Sequence, residues 1–432
     1  MRDFDVIVIG SGAGGLCSAA LLAAEEFRTL LLERLPFLGG RFSSLTRKGY
    51  TFTTGAVSIE GRGPLEKVFR KVGAPFDIRY PDPQVVYRIK GNDFLLPEKG
   101  GMNSLLDQAS YNPNEVLKVS KAIKTVSAKG VEEVSVSAWL ARYTRDPGVF
   151  GVFRALCGAI FSLAPEEAPM EEFVRMMKKR SFRQFGFPSG GNAELVEALE
   201  RSIQGKGGLV FRKSAARRIM VEEGRATGVE WIGPDGKTEE ASCSFVISDV
   251  GARNTVKLTG RNWFSQSEIL KVSKARPSYT LVLEILSDRP LLDCPGVLMV
   301  PEATRAAFAT CPTLLCPDLA PKGKHITIVL GAPRRSEEPL DVEEEFKLLL
   351  RDARANLPKF DRYARNWVLR SFRKDWPGYR SRPGDDLPFG TLFPNLFNVG
   401  DSVKPPGSYG VGACAESAWH VTNSIREMGI QQ

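Results

Sequence analysis

The chain has 432 residues, of which 43% are hydrophobic and 25% charged, a globular composition that excludes a disordered protein and leaves room for two or three domains. Its net charge of +9 is spread along the sequence without any nucleic-acid reader motif, so no nucleic-acid partner is expected. The seven cysteines include no C-x-x-C pair, no apolar stretch approaches the roughly 18 residues of a membrane span, and the N-terminus lacks a signal-peptide pattern. Together these predict reduced thiols and a cytoplasmic protein.

In chain order, Asp5-Val6-Ile7-Val8-Ile9 reads as a buried parallel strand that runs straight into Gly10-Ser11-Gly12-Ala13-Gly14-Gly15 and a helix from Leu16 to Ala24. Gly10 permits the tight turn, Gly12 lets backbone approach a pyrophosphate, and Gly15 lets helix and strand pack closely. The helix N-terminus then favours the anion. A second strand, Thr29-Leu30-Leu31-Leu32, ends on Glu33, placed to accept hydrogen bonds from ribose hydroxyls and to disfavour a 2′-phosphate. After Arg34, the pair Gly39-Gly40 exposes backbone amides, and Arg41 adds a permanently charged fork for phosphate oxygens.

From Glu33 to Gly39-Gly40-Arg41 the sequence resembles the FAD-dependent amine oxidase and phytoene desaturase superfamily. Gly49-Tyr50-Thr51-Phe52-Thr53-Thr54-Gly55 resembles its G-[FY]-x-F-D-x-G segment, with Thr53 where the family usually has Asp. Phe187-Pro188-Ser189-Gly190-Gly191, ahead of a helix from Ala193 to Ile203, resembles its F-P-x-G-G segment. Near the C-terminus, Leu396-Phe397-Asn398-Val399-Gly400-Asp401-Ser402 reads as an apolar strand ending in Gly-Asp, the edge at which open α/β sheets bind ligands. The resemblance implies that Gly400 and Asp401 contact the ribityl chain. It also implies that Gly410, Val411 and Ala413, where a last helix from 413 to 428 begins, face the flavin pyrimidine edge.

Between these motifs, 86–185 reads as largely helical. The cations and aromatics of Phe173 to Phe185 are not confined to separate faces, so an ordinary packed helix is favoured over one lying on an anionic membrane, which stays as the alternative. Short strands follow around Leu209–Phe211, Arg218–Val221 and Gly228–Trp231, then a buried strand Phe245–Asp249. Further strands are predicted at Thr280–Ile285 and His325–Leu330. The expected architecture is α/β: a discontinuous Rossmann-like FAD-binding domain (1–85, 186–255, 385–432) interleaved with an α+β substrate domain (86–185, 256–384).

Only His325 and His420 are present, too few for a Ser-His-Asp or histidine–metal mechanism, and no metal site is expected. Flavin hydride transfer needs neither, so no individual catalytic residue is assigned. One dinucleotide fingerprint and no redox cysteine pair predict a separate electron acceptor. The resemblance implies an FAD-dependent oxidoreductase that desaturates, saturates or isomerises a hydrophobic isoprenoid or polyene substrate. The alternatives are an amine oxidase, a protoporphyrinogen-type oxidase and, in another class, a prenyl-binding chaperone of the same fold.

Overall fold

The computed structural model describes residues 3–97, 99–127, 133–179, 184–337, 339–372 and 381–429. One seven-stranded sheet runs in the order β10 (Leu209–Phe211), β2 (Thr29–Leu32), β1 (Phe4–Ile9), β13 (Thr238–Ser248), β12 (Arg225–Ile232), β11 (Ala215–Glu222), with β19 (Leu396–Asn398) also paired to β13. Around β1 the pairings are parallel, which requires crossovers and covers both faces. The side chains therefore alternate between two apolar layers. Val6, Val8, Leu31 and Phe245 meet the helices Ala13–Ala24, Asn192–Gly205 and Gly410–Gly429, whereas Ile7, Ile9, Leu30 and Val246 meet Ile219 and Trp231. The first helix is buried along nearly its whole length because it is apolar on every side.

A second seven-stranded sheet runs β18 (Ala364–Phe372), β14 (Thr280–Ser287), β17 (His325–Gly331), β16 (Ala306–Thr310), β15 (Val297–Met299), β7 (Val85–Ile89), β8 (Asn92–Phe94). Leu281, Leu283 and Ile285 of β14 pack with Leu349 and Ala353 of the helix Val342–Asn356. Val282, Ile326 and Ile328 pack instead against Tyr50 and Val57. A hairpin of β3 (Ser44–Arg47) and β4 (Tyr50–Thr53), and a small sheet in the order β5 (Ile59–Glu60), β9 (Phe185–Pro188), β6 (Ile78–Arg79), connect the two.

The helix Met170–Lys179 is an ordinary packed helix over its described length. Phe173, Val174 and Met176 are buried, Arg175 pairs with Glu171 and Glu172, and Glu172 accepts from the Gly407 amide at 2.8 Å. Residues 180–183 of the segment weighed for membrane docking lie outside the described residues. Among the described residues, no helix is long and apolar enough to cross a membrane. All seven cysteines are free. The last helix starts at Gly410, three residues ahead of the expected Ala413. A Cβ at Gly412 would come 2.9 Å from Glu60 Oε2, so the glycine lets the first turn lie against that side chain without displacing it.

Candidate functional site

Gly10 leaves β1 with φ +93°, a conformation a Cβ disfavours, and turns the chain into the first helix. Gly12 is the N-cap and supplies no side-chain cap, so the amides that open the helix are not taken by their own cap, although that of Gly15 meets Asp249. Gly15 sits so close beneath Gly10 that a Cβ would overlap the Gly10 carbonyl oxygen, while Ala13 is buried in the core. Gly14 faces the other end of the chain: a Cβ there would lie 2.7 Å from the Gly400 nitrogen. The two distant glycine motifs are thus one cradle.

Glu33 is 6% exposed at the end of β2. Its Oε2 accepts from the Ser11 amide (2.9 Å) and hydroxyl (2.6 Å), and its Oε1 accepts from the Leu35 amide at 2.8 Å. A carboxylate offers about four acceptor positions, so three are used in holding the glycine loop and one is left for a ribose hydroxyl. Arg34 is exposed at the rim. Gly39 donates to the Ser11 carbonyl at 2.9 Å, which lays Gly39-Gly40 over the loop, with Gly40 close to the Gly12 Cα. Glu33→Ala is expected to weaken FAD retention roughly 10- to 150-fold, the loss of charged hydrogen bonds worth about 1.5 to 3 kcal/mol. Fluorescence of released flavin measures this, and unchanged retention would place the ribose elsewhere.

Asp401 lies 3.7 Å from Arg41 and accepts from the Ser381 amide at 2.9 Å. The buried Lys404 braces its loop, donating to the Asp401 carbonyl (2.9 Å) and to Asp386 (2.6 Å). Burial pushes the Asp386 carboxyl up to about 6 even with that lysine beside it. Gly410 and the half-buried Val411 open the last helix, Ala413 is buried in its first turn, and Gly400 donates to Ser417 Oγ of the same helix at 2.8 Å. Tyr409, the only aromatic that the C-terminal motif puts close to the flavin edge, is buried edge-on against Phe161.

Two acids not singled out from the sequence complete the picture. Asp249 follows β13, whose Ser248 is in register with Ile9, so it stands beside Gly10. It is half-buried, and its Oδ2 accepts from the Gly15 amide at 2.9 Å. Enclosure pushes its carboxyl up to about 8, with Glu33 and Asp401 adding to the rise and the Gly15 amide and Arg41 opposing it. The signal was present: like Glu33 and Asp401, it is an acid at the C-terminal end of a parallel strand. Glu284, in the middle of β14, has no exposed surface, and Arg370 of β18 reaches its Oε2 at 2.7 Å. Burial pushes it up to about 7, with Arg370 and the Thr53 backbone pulling the other way.

Arg370 also donates to the Thr53 carbonyl at 2.8 Å, so the position that is usually Asp in the resembled family serves here as a backbone acceptor. Beside it opens a cleft between β4, the segment Phe187–Asn192 and the second sheet. Val57, Phe187, Pro188, Leu319, Ile326 and Ile328 form its apolar wall, and Thr53 and Asn192 lie at its polar edge. It adjoins the cradle through Ala56, whose amide donates to the Arg41 carbonyl at 2.9 Å. An uncapped helix start, glycines whose hydrogens leave room for a ligand, a guanidinium that donates and an acid that accepts fit FAD, a diphosphate flanked by polyol and ribose.

A family model described as flavin containing amine oxidoreductase matches residues 13–425. An uncharacterized protein of Methanocaldococcus jannaschii is 26% identical over 98% of this chain and 99% of its own. The chloroplastic prolycopene isomerase of Arabidopsis thaliana is 24% identical over 75% of this chain and 62% of its own length. Among solved structures, an oxidoreductase from Methanosarcina mazei superposes with a TM-score of 0.84 at 27% identity, covering 97% of this chain and 100% of that one.

Proposed function

This chain belongs to the flavin-containing amine oxidoreductase family as an FAD-dependent oxidoreductase, and we propose that it acts on a hydrophobic, polyene-type substrate seated in the cleft beside β4. The observation that carries the substrate class is the apolar wall of that cleft, built from Val57, Phe187, Leu319, Ile326 and Ile328, whose polar neighbours are the uncharged Ser44, threonines and Asn192. Among the described residues lining it there is no charge to hold an ammonium group. The likeness to prolycopene isomerase, named for a polyene, points the same way.

When bound, FAD accepts or returns a hydride at its N5. The work of this chain's residues is to bind and orient. Glu33 holds the glycine loop and offers an acceptor to ribose, the helix start at Gly14 faces the diphosphate while Asp249 holds the Gly15 amide beside it, and Arg41 balances its charge. Asp401 meets the ribityl hydroxyls, while Gly410, Val411 and Ala413 bring the start of the last helix to the pyrimidine edge. The apolar wall orients the substrate and excludes water. Electrons pass on through a separate acceptor.

The purified protein is expected to show the yellow absorbance of oxidised flavin. Mixed anaerobically, oxidised and photoreduced, with polyenes, amines and porphyrinogens, its flavin spectrum should change with the polyenes. A response to amines alone would overturn the substrate class and leave the cofactor untouched.

A further inference from the structure

Asp249 is placed where the cofactor's charge must go. Its Oδ2 takes the amide of Gly15, in the first turn of the helix whose N-terminus the fingerprint sets against a diphosphate. Its Oδ1 lies in the seam between the two chain ends: a Cβ on Gly14 would come 2.9 Å from it, and one on Gly400 would overlap it. An ionised carboxylate there would compete with the diphosphate for the same amides and repel it at close range. A neutral carboxyl removes the repulsion: one oxygen keeps the Gly15 amide, and the other carries a proton it can donate to the diphosphate in place of that amide. We propose that Asp249 is a positioning residue of the FAD site that must hold its proton when the diphosphate is seated, so that cofactor binding at alkaline pH takes up a proton.

The groups facing Asp249 agree on the direction. Glu33 at the end of β2 and Asp401 after β19 are acids that disfavour a further negative charge, and Arg41 is the cation opposing them. Cys17 of the first helix and Cys414 of the last are held protonated by burial, so neither competes as the titrating group. The free carboxyl titrates at about 8. Seating the diphosphate raises that value. Below it the group is already neutral and affinity does not depend on it; above it each binding event must import a proton.

The inference rests on FAD binding and not on the substrate. Apoprotein titrated with FAD by calorimetry at pH 9, in two buffers of different ionisation enthalpy, is expected to take up close to one proton, and Asp249→Asn none. Between pH 6.5 and 9.5 the wild-type affinity should hold to about pH 8 and then weaken by up to about tenfold per pH unit, while the variant stays flat. No proton uptake by the wild type, or the same pH profile in Asp249→Asn, overturns the proposal. Should the variant fail to fold, the wild-type calorimetry alone decides. Absence of FAD binding at every pH would instead overturn the cofactor reading, and this inference with it.

Discussion

Gly15→Ala is expected to abolish stable FAD binding and to destabilise the first sheet. The added Cβ has nowhere to go, because the atom it meets is the Gly10 carbonyl oxygen, which is backbone and sits at the turn out of β1. Relief requires moving the first helix off the sheet, and that helix carries the amides for the diphosphate on one end and packs Leu16, Ala20 and Ala23 into the core along its length. Overpacking a core position ordinarily costs about 1 to 3 kcal/mol, and here the strain falls on the binding loop itself. Gly205→Ala is the matched control: nothing lies within 4 Å of its added Cβ, and it ends a helix, where alanine is the better former. The two variants should separate in flavin content after purification and in thermal midpoint. A Gly15→Ala protein that keeps its flavin would mean that the loop is not packed as described.

The motifs legible in the sequence are those whose chemistry is local. A strand, a glycine run and a terminal acid announce themselves within thirty-odd residues, and Gly400-Asp401 repeats the same logic at the far end. That Gly14 and Gly400 touch follows from the parallel pairing of β13 with both β1 and β19, a fact of sheet order that no local pattern contains. Asp249 was hidden for this reason: its strand was foreseen, but its place beside Gly10 depends on which strand lies next to β1. The last helix begins three residues earlier than the sequence suggests because Gly410 and Gly412 read as loop residues, whereas Gly412 lies against Glu60 within the helix. Glu284 is the plainest case. In Thr280-Leu281-Val282-Leu283-Glu284-Ile285 an acid interrupts an apolar strand, and only the pairing of β14 with β18 reveals the arginine that makes its burial tolerable.

That pairing sets the second large effect. Arg370→Met is expected to cost about 1.4 kcal/mol at pH 8, because Glu284 stripped of its partner keeps its proton, and one pH unit above the value of about 7 that it has beside Arg370 that proton costs about 1.4 kcal/mol to hold. The loss should depend on pH in a defined direction. Glu284 titrates at about 7 in the folded chain, above the usual carboxylate range, so it binds its proton more tightly folded than unfolded. Its contribution to stability is therefore complete at acid pH, below its unfolded value, and declines as pH rises through about 7. Without Arg370 the folded value rises further, so the variant should approach wild-type stability near pH 5 and fall away above it. Glu284→Gln removes the charge, flattens the pH dependence and, combined with Arg370→Met, should recover most of the loss, because the penalty arises from an unpaired carboxylate and not from the missing arginine as such. Thermal unfolding of the four proteins from pH 5 to 8 measures this. Equal losses for Arg370→Met at both ends of that range would show that the guanidinium acts chiefly through its hydrogen bond to the Thr53 carbonyl and its position over Phe52, holding the second sheet to β4.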